Sequence, residues 1–372
     1  MQVHGNAEPR RSEGGVGSGH AGTNDGDSRT GRHEGEGSTR GGWVRTPCAT
    51  HGRRATLVAM TTPDAERPLR VVSVSLGSSQ RDAVLDMTLL GRHVQLERRG
   101  MDGDVRKAAA TFAALRDEVD AFGLGGADLR LDVAGRSYTL RESARWARHA
   151  GSTPVVCGTG LKHPLERRAV AQLDGALGWA SRRVLLPSAA DRWGMAEGLA
   201  DAGARLTIGD LAFLLGWPVA LHDLTRFKRV VRVLAPVIVQ LPMAWIYPTG
   251  SKQESSVTGW RADWFEDHDV IAGDWHLIAR YAPHDLSGKV ILTNTTTASD
   301  LSRLAERGVT TVATTTPRIN GRSLPTNLLE AAFVAIAARG ALSYADLDAM
   351  LDEAALQPHV WNAPHRETTP SP

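Results

Sequence analysis

Cysteine is nearly absent from this chain: Cys48 and Cys157 are the two in 372 residues, and they lie far apart. No disulfide framework or cysteine-based metal site can be assembled from that pair. A reducing, cytoplasmic setting is the expectation, with Cys157, at the end of an apolar run, as a buried and inert thiol. An excess of one charge is lacking too. Lys plus Arg is 43 against 41 Asp plus Glu, a formal net charge of +2. Basic residues do not cluster with aromatics, so no nucleic-acid partner is expected. G-x-S-x-G, H-E-x-x-H and Walker A patterns are missing, which sets aside serine hydrolases, zincins and P-loop enzymes. The N-terminus lacks the apolar core of a signal peptide. One apolar run, VVRVLAPVIVQLPMAWIY (230–247), has membrane-spanning length, but Arg232, Pro236, Gln240 and Pro242 interrupt it. It reads instead as a buried helix pair, or as an apolar patch facing a second copy in a homodimer. No membrane partner is expected.

What is present divides the chain. Residues 1–66 hold 13 of the 38 glycines and almost no apolar residues. Such a segment cannot bury enough surface to offset its ordering entropy and is expected to be a disordered tail. Its histidines (His4, His20, His33, His51) read as solvated, and Met60 is a second candidate start. From Leu69 strands and helices alternate. RVVSVSL, VQLERR, DAFGLGG and TPVVC read as strands, with a hairpin around Gly135-Arg136 and helices over 105–119, 141–150 and 165–177. Residues 67–180 are therefore expected to form a small α/β domain. Residues 181–355 continue with strands at 183–187, 204–208, 269–273, 289–295 and 310–316. Helices are expected over 299–307, 325–338 and 344–353, with a helical insertion from Leu211 to about Met243. This second domain reads as a Rossmann-like, doubly wound parallel sheet, and 356–372 as a flexible tail.

VLLPSAADRWGMAEGLADAGARLTIGD (184–210) has the order of a dinucleotide-binding βαβ unit. Its turn would set backbone N–H groups and a helix start against a pyrophosphate, with Asp210, about 20 residues on, accepting from a ribose. The turn is not G-x-G-x-x-G: Gly194 stands where a glycine is expected, and Ser188 and Ala189 replace the earlier ones. Ser188, Ala189, Arg192, Gly194 and Asp210 are the candidate cofactor residues, and an acid at position 210 favours NAD over NADP. An ordinary βαβ unit that binds nothing stands beside this reading.

Polar residues gather at the carboxyl ends of other strands, where open α/β sheets bind ligands. Ser75, Ser78 and Ser79, near Arg81, read as substrate contacts or as a capped turn. Lys162 after TPVVC is a candidate proton shuttle, provided that burial or a nearby cation lowers its pKa. Asp274 and His276 end the strand DVIAG as a candidate catalytic pair. With His284 and Asp285 as the nearest further ligands, no metal site is expected. Asn294 and Thr314 tip two adjacent strands and suit phosphate, ribose or amide contacts.

The segments VVSVSLGSSQRD, DAFGLGGADL, TPVVCGTGLKHPLERRAV, DRWGMAEGLADAGA, YPTGSKQE, DVIAGDWH, ILTNTTT and TTTPRINGRS span about residues 70–335. Together they resemble the bacterial quinate 5-dehydrogenase, or shikimate/quinate dehydrogenase-like, family. That resemblance implies a substrate domain followed by a Rossmann domain, a paired-serine motif matched by Ser73 and Ser75, and a catalytic lysine matched by Lys162. It also implies an NAD(P)-dependent oxidation of a hydroxylated alicyclic acid, the small-molecule substrate. The missing glycine loop motivates two alternatives: a non-catalytic ligand-binding or regulatory protein on the same fold, and a transferase or isomerase using a nucleotide-linked substrate.

Overall fold

The computed structural model describes residues 67–241, 261–319 and 322–363. The N-terminal segment with its histidines, Cys48 and Met60, the motif YPTGSKQE, residues 242–247 of the apolar run, Asn320, Gly321 and residues 364–372 lie outside them. The described residues are mixed α/β and contain two mainly parallel sheets and two two-stranded ribbons, one of them β13 (Arg318–Ile319) with β14 (Arg322–Ser323).

The first sheet holds β1 (Leu69–Ser75), β2 (Ala83–Leu89), β3 (Arg92–Gly100), β4 (Ala121–Gly125) and β7 (Val155–Val156), in the order β2-β3-β1-β4-β7. β1, β3, β4 and β7 run parallel, and β2 is antiparallel to β3. β1 is buried almost throughout, as its near-continuous apolar run requires of an interior parallel strand. The sequence reading had no strand at β2. This edge strand is mostly exposed and joins β3 through Leu90-Gly91, both at positive φ. That is the two-residue turn whose twist suits a hairpin. The hairpin at Gly135 forms as expected, from β5 (Arg130–Val133) and β6 (Arg136–Thr139).

The second sheet has the order β15-β12-β11-β10-β8-β9. It comprises β8 (Arg183–Leu186), β9 (Arg205–Ile208), β10 (Val270–Gly273), β11 (Val290–Thr293), β12 (Thr311–Thr314) and β15 (His359–Asn362). All run parallel except β15, which pairs antiparallel with β12. The tail expected to be flexible from 356 thus contributes an edge strand. Its four residues are too short a run to announce themselves.

In both sheets the chain steps outward and then reverses. The reversals fall between β1 and β4 and between β8 and β10. Such switch points open a crevice beyond the strands' carboxyl ends.

Two helices correct the expected domain boundary. α1 (Val105–Leu115) and α2 (Arg141–Ala147) pack with the first sheet, as expected. However, α10 (Thr326–Ala337) and α11 (Tyr344–Ala354), assigned from sequence to the second domain, bury Leu329, Phe333, Leu347 and Leu351 in one core with Val71, Val94 and Leu96 of the first. Helical periodicity says that a face is buried, not which sheet buries it. The chain therefore crosses between the sheets three times: through α3 (Thr159–Leu177), before α10, and after α11. α3 starts six residues before the expected Leu165 and carries Pro164 within it. Its first half (Leu161, Leu165) joins the first core and its second half (Val170, Leu173) the core of the second sheet. The apolar run at 230 forms the end of α6 (Leu224–Ile238), which buries Phe227, Val231 and Ala235 while Val233 and Val237 stay exposed. Over the described part of the run it is one amphipathic helix. Among the described residues no helix is long and apolar enough to cross a membrane.

α4 (Trp193–Asp201) lies against α3, and Gly194 makes this possible. A Cβ at Gly194 would stand 2.4 Å from the His163 carbonyl oxygen. This glycine, expected as a cofactor residue, serves helix packing. Gly194→Ala should therefore lower stability by about 1–3 kcal/mol, because backbone and not a flexible side chain must move. Chemical denaturation of the two proteins measures it.

Candidate functional site

The two switch points meet in one cleft of about 200 Å³. Ser73, Ser75 and Asp128 line it from the first sheet, Lys162 from the crossing helix, and Ser188, Asp191, Asp274 and Asn294 from the second. Ser323, before α10, and Asn327, in its first turn, also line it, together with Arg81, Arg192 and His276.

Lys162 occupies the joint. Its Nζ lies 2.7 Å from Asp191 Oδ1 and 3.0 Å from Asp128 Oδ1. Burial disfavours the ammonium, but Asp128 and Asp191 outweigh it and hold Lys162 above the ordinary lysine range. The condition set for a proton-shuttling lysine is not met: this is a fixed cation. The group that titrates near neutrality is Asp128. Burial pushes its carboxyl up to about 6, with the charge of Asp191 adding and that of Lys162 opposing. Asp191 goes the other way. Despite burial, Lys162 and Arg192 keep it well below the usual carboxylate range. Two carboxyls around one ammonium, driven apart in acidity, are the arrangement that separates acid and base roles.

Asp274 and His276, expected to orient Lys162, contact neither its Nζ nor each other's reactive atoms. Asp274 caps α8 (Trp275–Tyr281), accepting from the backbone of His276 and Leu277. Its other oxygen takes Arg192 at 2.8 Å and Asn294 Nδ2 at 3.2 Å. Asn294 spends its amide oxygen on the Trp275 N–H. His276 Nε2 lies 3.2 Å from Arg81 Nη1. Burial first, and then the Arg81 charge, hold the imidazole below its ordinary pKa, so a neutral ring accepts from the guanidinium.

The turn at Ser188 is arranged for itself. The Ala189 and Ala190 N–H groups donate to Asp210 Oδ2 and Oδ1, at 2.7 and 2.9 Å. Asp210 is 7% exposed, and burial pushes its carboxyl up to about 7 against the pull of those two N–H groups. The acid expected on a ribose instead occupies the donors expected to hold a pyrophosphate. The reason is reach: Asp210 starts α5 (Asp210–Phe213) directly beyond β9, beside the β8 turn. Arg192 is buried against Glu166 at 2.9 Å, Asp191 at 3.2 Å and Asp274, and so is a structural cation. Thr314 turns its hydroxyl back onto the Thr316 carbonyl. The residues present do not fit a dinucleotide at this turn. Ser188 remains: it lines the cleft at 2% exposure, and its hydroxyl has no hydrogen-bond partner among the described residues.

Of the three serines expected on substrate, Ser75 lines the cleft, receiving Arg98 at 3.0 Å and the Gly77 N–H. Ser78 caps a short 3-10 turn and Ser79 is tied by its backbone to Asp102, both on the outside. Ser73 takes their place, accepting from Asn327 Nδ2 at 2.6 Å. Asn327 and Ser75 explain the first two glycines of DAFGLGG, and a positive φ the third. A Cβ at Gly123 would fall 2.9 Å from the Asn327 carbonyl oxygen, and one at Gly125 would fall 2.9 Å from Ser75 Oγ and 3.3 Å from Asn327 Nδ2. Asp191 and the partnership of Ser73 with Asn327, 254 positions apart, carried no local signal. Asp128 had a weak one, an acid directly after a glycine turn.

The domain of unknown function DUF8754 matches residues 160–363, more than half of the chain. The chain belongs to the DUF8754 family. A second domain of unknown function, DUF8753, matches residues 70–157, so the boundary between DUF8753 and DUF8754 falls where β7 gives way to the crossing helix. No curated protein matches by sequence. Among solved structures, a sugar ABC transport system substrate-binding protein from Bordetella parapertussis 12822 is 11% identical, with a TM-score of 0.31, over 82% of this chain and 92% of its own. A galactofuranose binding protein is 10% identical, with a TM-score of 0.33, over 80% and 95%. A glutamate dehydrogenase is 12% identical, with a TM-score of 0.33, over 71% and 63%.

Asp210→Ala should cost about 1–3 kcal/mol by leaving two buried N–H groups without their acceptor, read from denaturant midpoints. Glu330, on α10, is buried against the first turn of α3, and burial pushes it up to about 7 against the charge of Arg130. An acid raised on folding destabilises progressively as pH climbs from its unfolded pKa through its folded one. Glu330→Gln should therefore become steadily more favourable relative to the parent between about pH 4.5 and 7 and level off above. Paired melting curves across that range test this.

Proposed function

We propose that this protein binds a small, hydroxyl-rich molecule in the cleft between its two sheets and does so without a dinucleotide. One observation carries the reading. The cleft sets the Lys162 ammonium and the Asp128 carboxyl side by side, with the uncommitted Ser188 hydroxyl on the same wall system, while Asp210 fills the turn a pyrophosphate would need. A ligand hydroxyl accepts from Lys162 and donates to Asp128 at once, so vicinal hydroxyls find matched donors and acceptors. The volume of about 200 Å³ suits a monosaccharide, a cyclitol or a hydroxylated alicyclic acid such as quinate or shikimate. It lies below the roughly 300–1,000 Å³ of drug-sized pockets.

A second reading has its own observation: Asp128, pushed up to about 6, is placed to exchange a proton with a ligand hydroxyl held by Lys162. That favours acid–base chemistry on the same class of ligand. The quinate/shikimate dehydrogenase reading would need a nicotinamide dinucleotide, and Asp210 stands against it at the turn.

Thermal unfolding with millimolar quinate, shikimate, inositols and monosaccharides tests the binding. At least one should raise the midpoint in proportion to the logarithm of its concentration. Ser188→Ala should fold normally and weaken that ligand by about three- to tenfold, the worth of one hydrogen bond. A panel without any shift overturns the reading. A shift with NAD or NADP overturns the exclusion of the dinucleotide, and absorbance of the reduced cofactor with quinate or shikimate then separates a dehydrogenase from a transferase or isomerase.

A further inference from the structure

One end of the cleft has groups that hydroxyl recognition leaves unused. α9 (Ala298–Glu306) begins there, with Thr297 as its cap and Thr295, Thr296 and Thr297 on the cleft wall. The first N–H groups of a helix have no partner within it and carry its positive end; in α9 a capping box commits the Asp300 N–H to Thr297 Oγ1, leaving those of Ala298 and Ser299. Thr296 is 2% exposed, and its hydroxyl has no partner among the described residues. From the opposite sheet, Arg81 brings its guanidinium to His276, 3.2 Å away. His276 in turn feels the charge of Asp300 in the first turn of α9. Arg81, His276 and the start of α9 thus share this end of the cleft.

We propose that this end is a phosphate subsite, and that the ligand is a phosphorylated polyol or sugar. The phosphate oxygens accept from the Arg81 guanidinium, the Thr296 hydroxyl and the N–H groups that open α9. Donors arriving from a side chain across the cleft, from a hydroxyl and from a helix start suit three tetrahedrally disposed oxygens better than a planar carboxylate. Two acids stand near this end. Asp274, beside His276, is held by Arg192 at 2.8 Å and Asn294 Nδ2 at 3.2 Å. Asp300 turns inward, accepting from the Thr297 backbone and hydroxyl, and Arg303 at 2.6 Å balances its charge. His276, its pKa lowered by burial, adds no charge of its own. The inference rests on the proposed hydroxyl site only for the rest of the ligand.

Calorimetric titration of the full chain with inorganic phosphate alone, at constant ionic strength, tests it, with acetate as the carboxylate comparison. Saturable phosphate binding is expected, weakened about tenfold by Thr296→Val and by Arg81→Gln, with circular dichroism checking that both variants fold. Absence of saturable binding overturns the subsite. So does unchanged affinity in both folded variants, or acetate binding as tightly as phosphate. The neutral polyol panel separates the two claims. Phosphate binding that depends on Thr296 and Arg81 upholds the subsite even where no neutral polyol binds, and a polyol shift without phosphate binding overturns the subsite alone.

Discussion

The Lys162 ammonium, gripped by a carboxylate from each sheet, is the contact on which the rest of the cleft depends. Asp128 follows the first sheet's switch point and Asp191 the second's, and the lysine sits on the helix whose two halves lie in different cores. A buried charge is costly unless paired and hydrogen-bonded. Removing any member would leave its partners uncompensated. The network extends through Asp191 to Arg192, and from there to Glu166 and Asp274. Apolar replacements of equal volume would often be as stable or more so. A cleft wall of fixed alternating charge is what such replacements could not supply.

The turn after β8 has the outline of a dinucleotide-binding unit with its backbone donors already engaged. In the dinucleotide motif, glycines let a pyrophosphate approach the backbone. Here Asp210 takes the Ala189 and Ala190 N–H groups itself. The βαβ unit and the acid about 20 residues on are retained, but the acid serves the protein and not a ribose. Burial of that carboxylate raises its pKa, and the two backbone donors compensate in part.

Much of the fold was legible. The interior strands are short, apolar and bounded by turns, so β1, β8, β10, β11 and β12 stood out at nearly their observed positions. The edge strands β2 and β15 did not, because an edge strand need not be apolar on both faces. Helix existence was readable for α10 and α11, but their allegiance to the first sheet was not. Among site residues, Ser75, Lys162, Ser188, Arg192, Asp274, His276 and Asn294 line the cleft. Arg192, Asp274 and Asn294 do so while making capping and internal hydrogen bonds, and Thr314, outside the lining, bonds the Thr316 carbonyl. Gly194 packs one helix on another.

Composition and periodicity by themselves determined the fold class, the alternation of strand and helix, and the crowding of polar residues at strand ends, because these depend on neighbours within about a dozen positions. Only the tertiary structure decided which carboxylates Lys162 meets, that Asp210 closes its own turn, and that Asn327 reaches Ser73 across 254 positions. Each of those outcomes is a distance between side chains on different elements. The same residue type at a strand end can bind a ligand, cap a helix or neutralise a neighbour, and the choice is made by what the other sheet brings within about 3 Å of it.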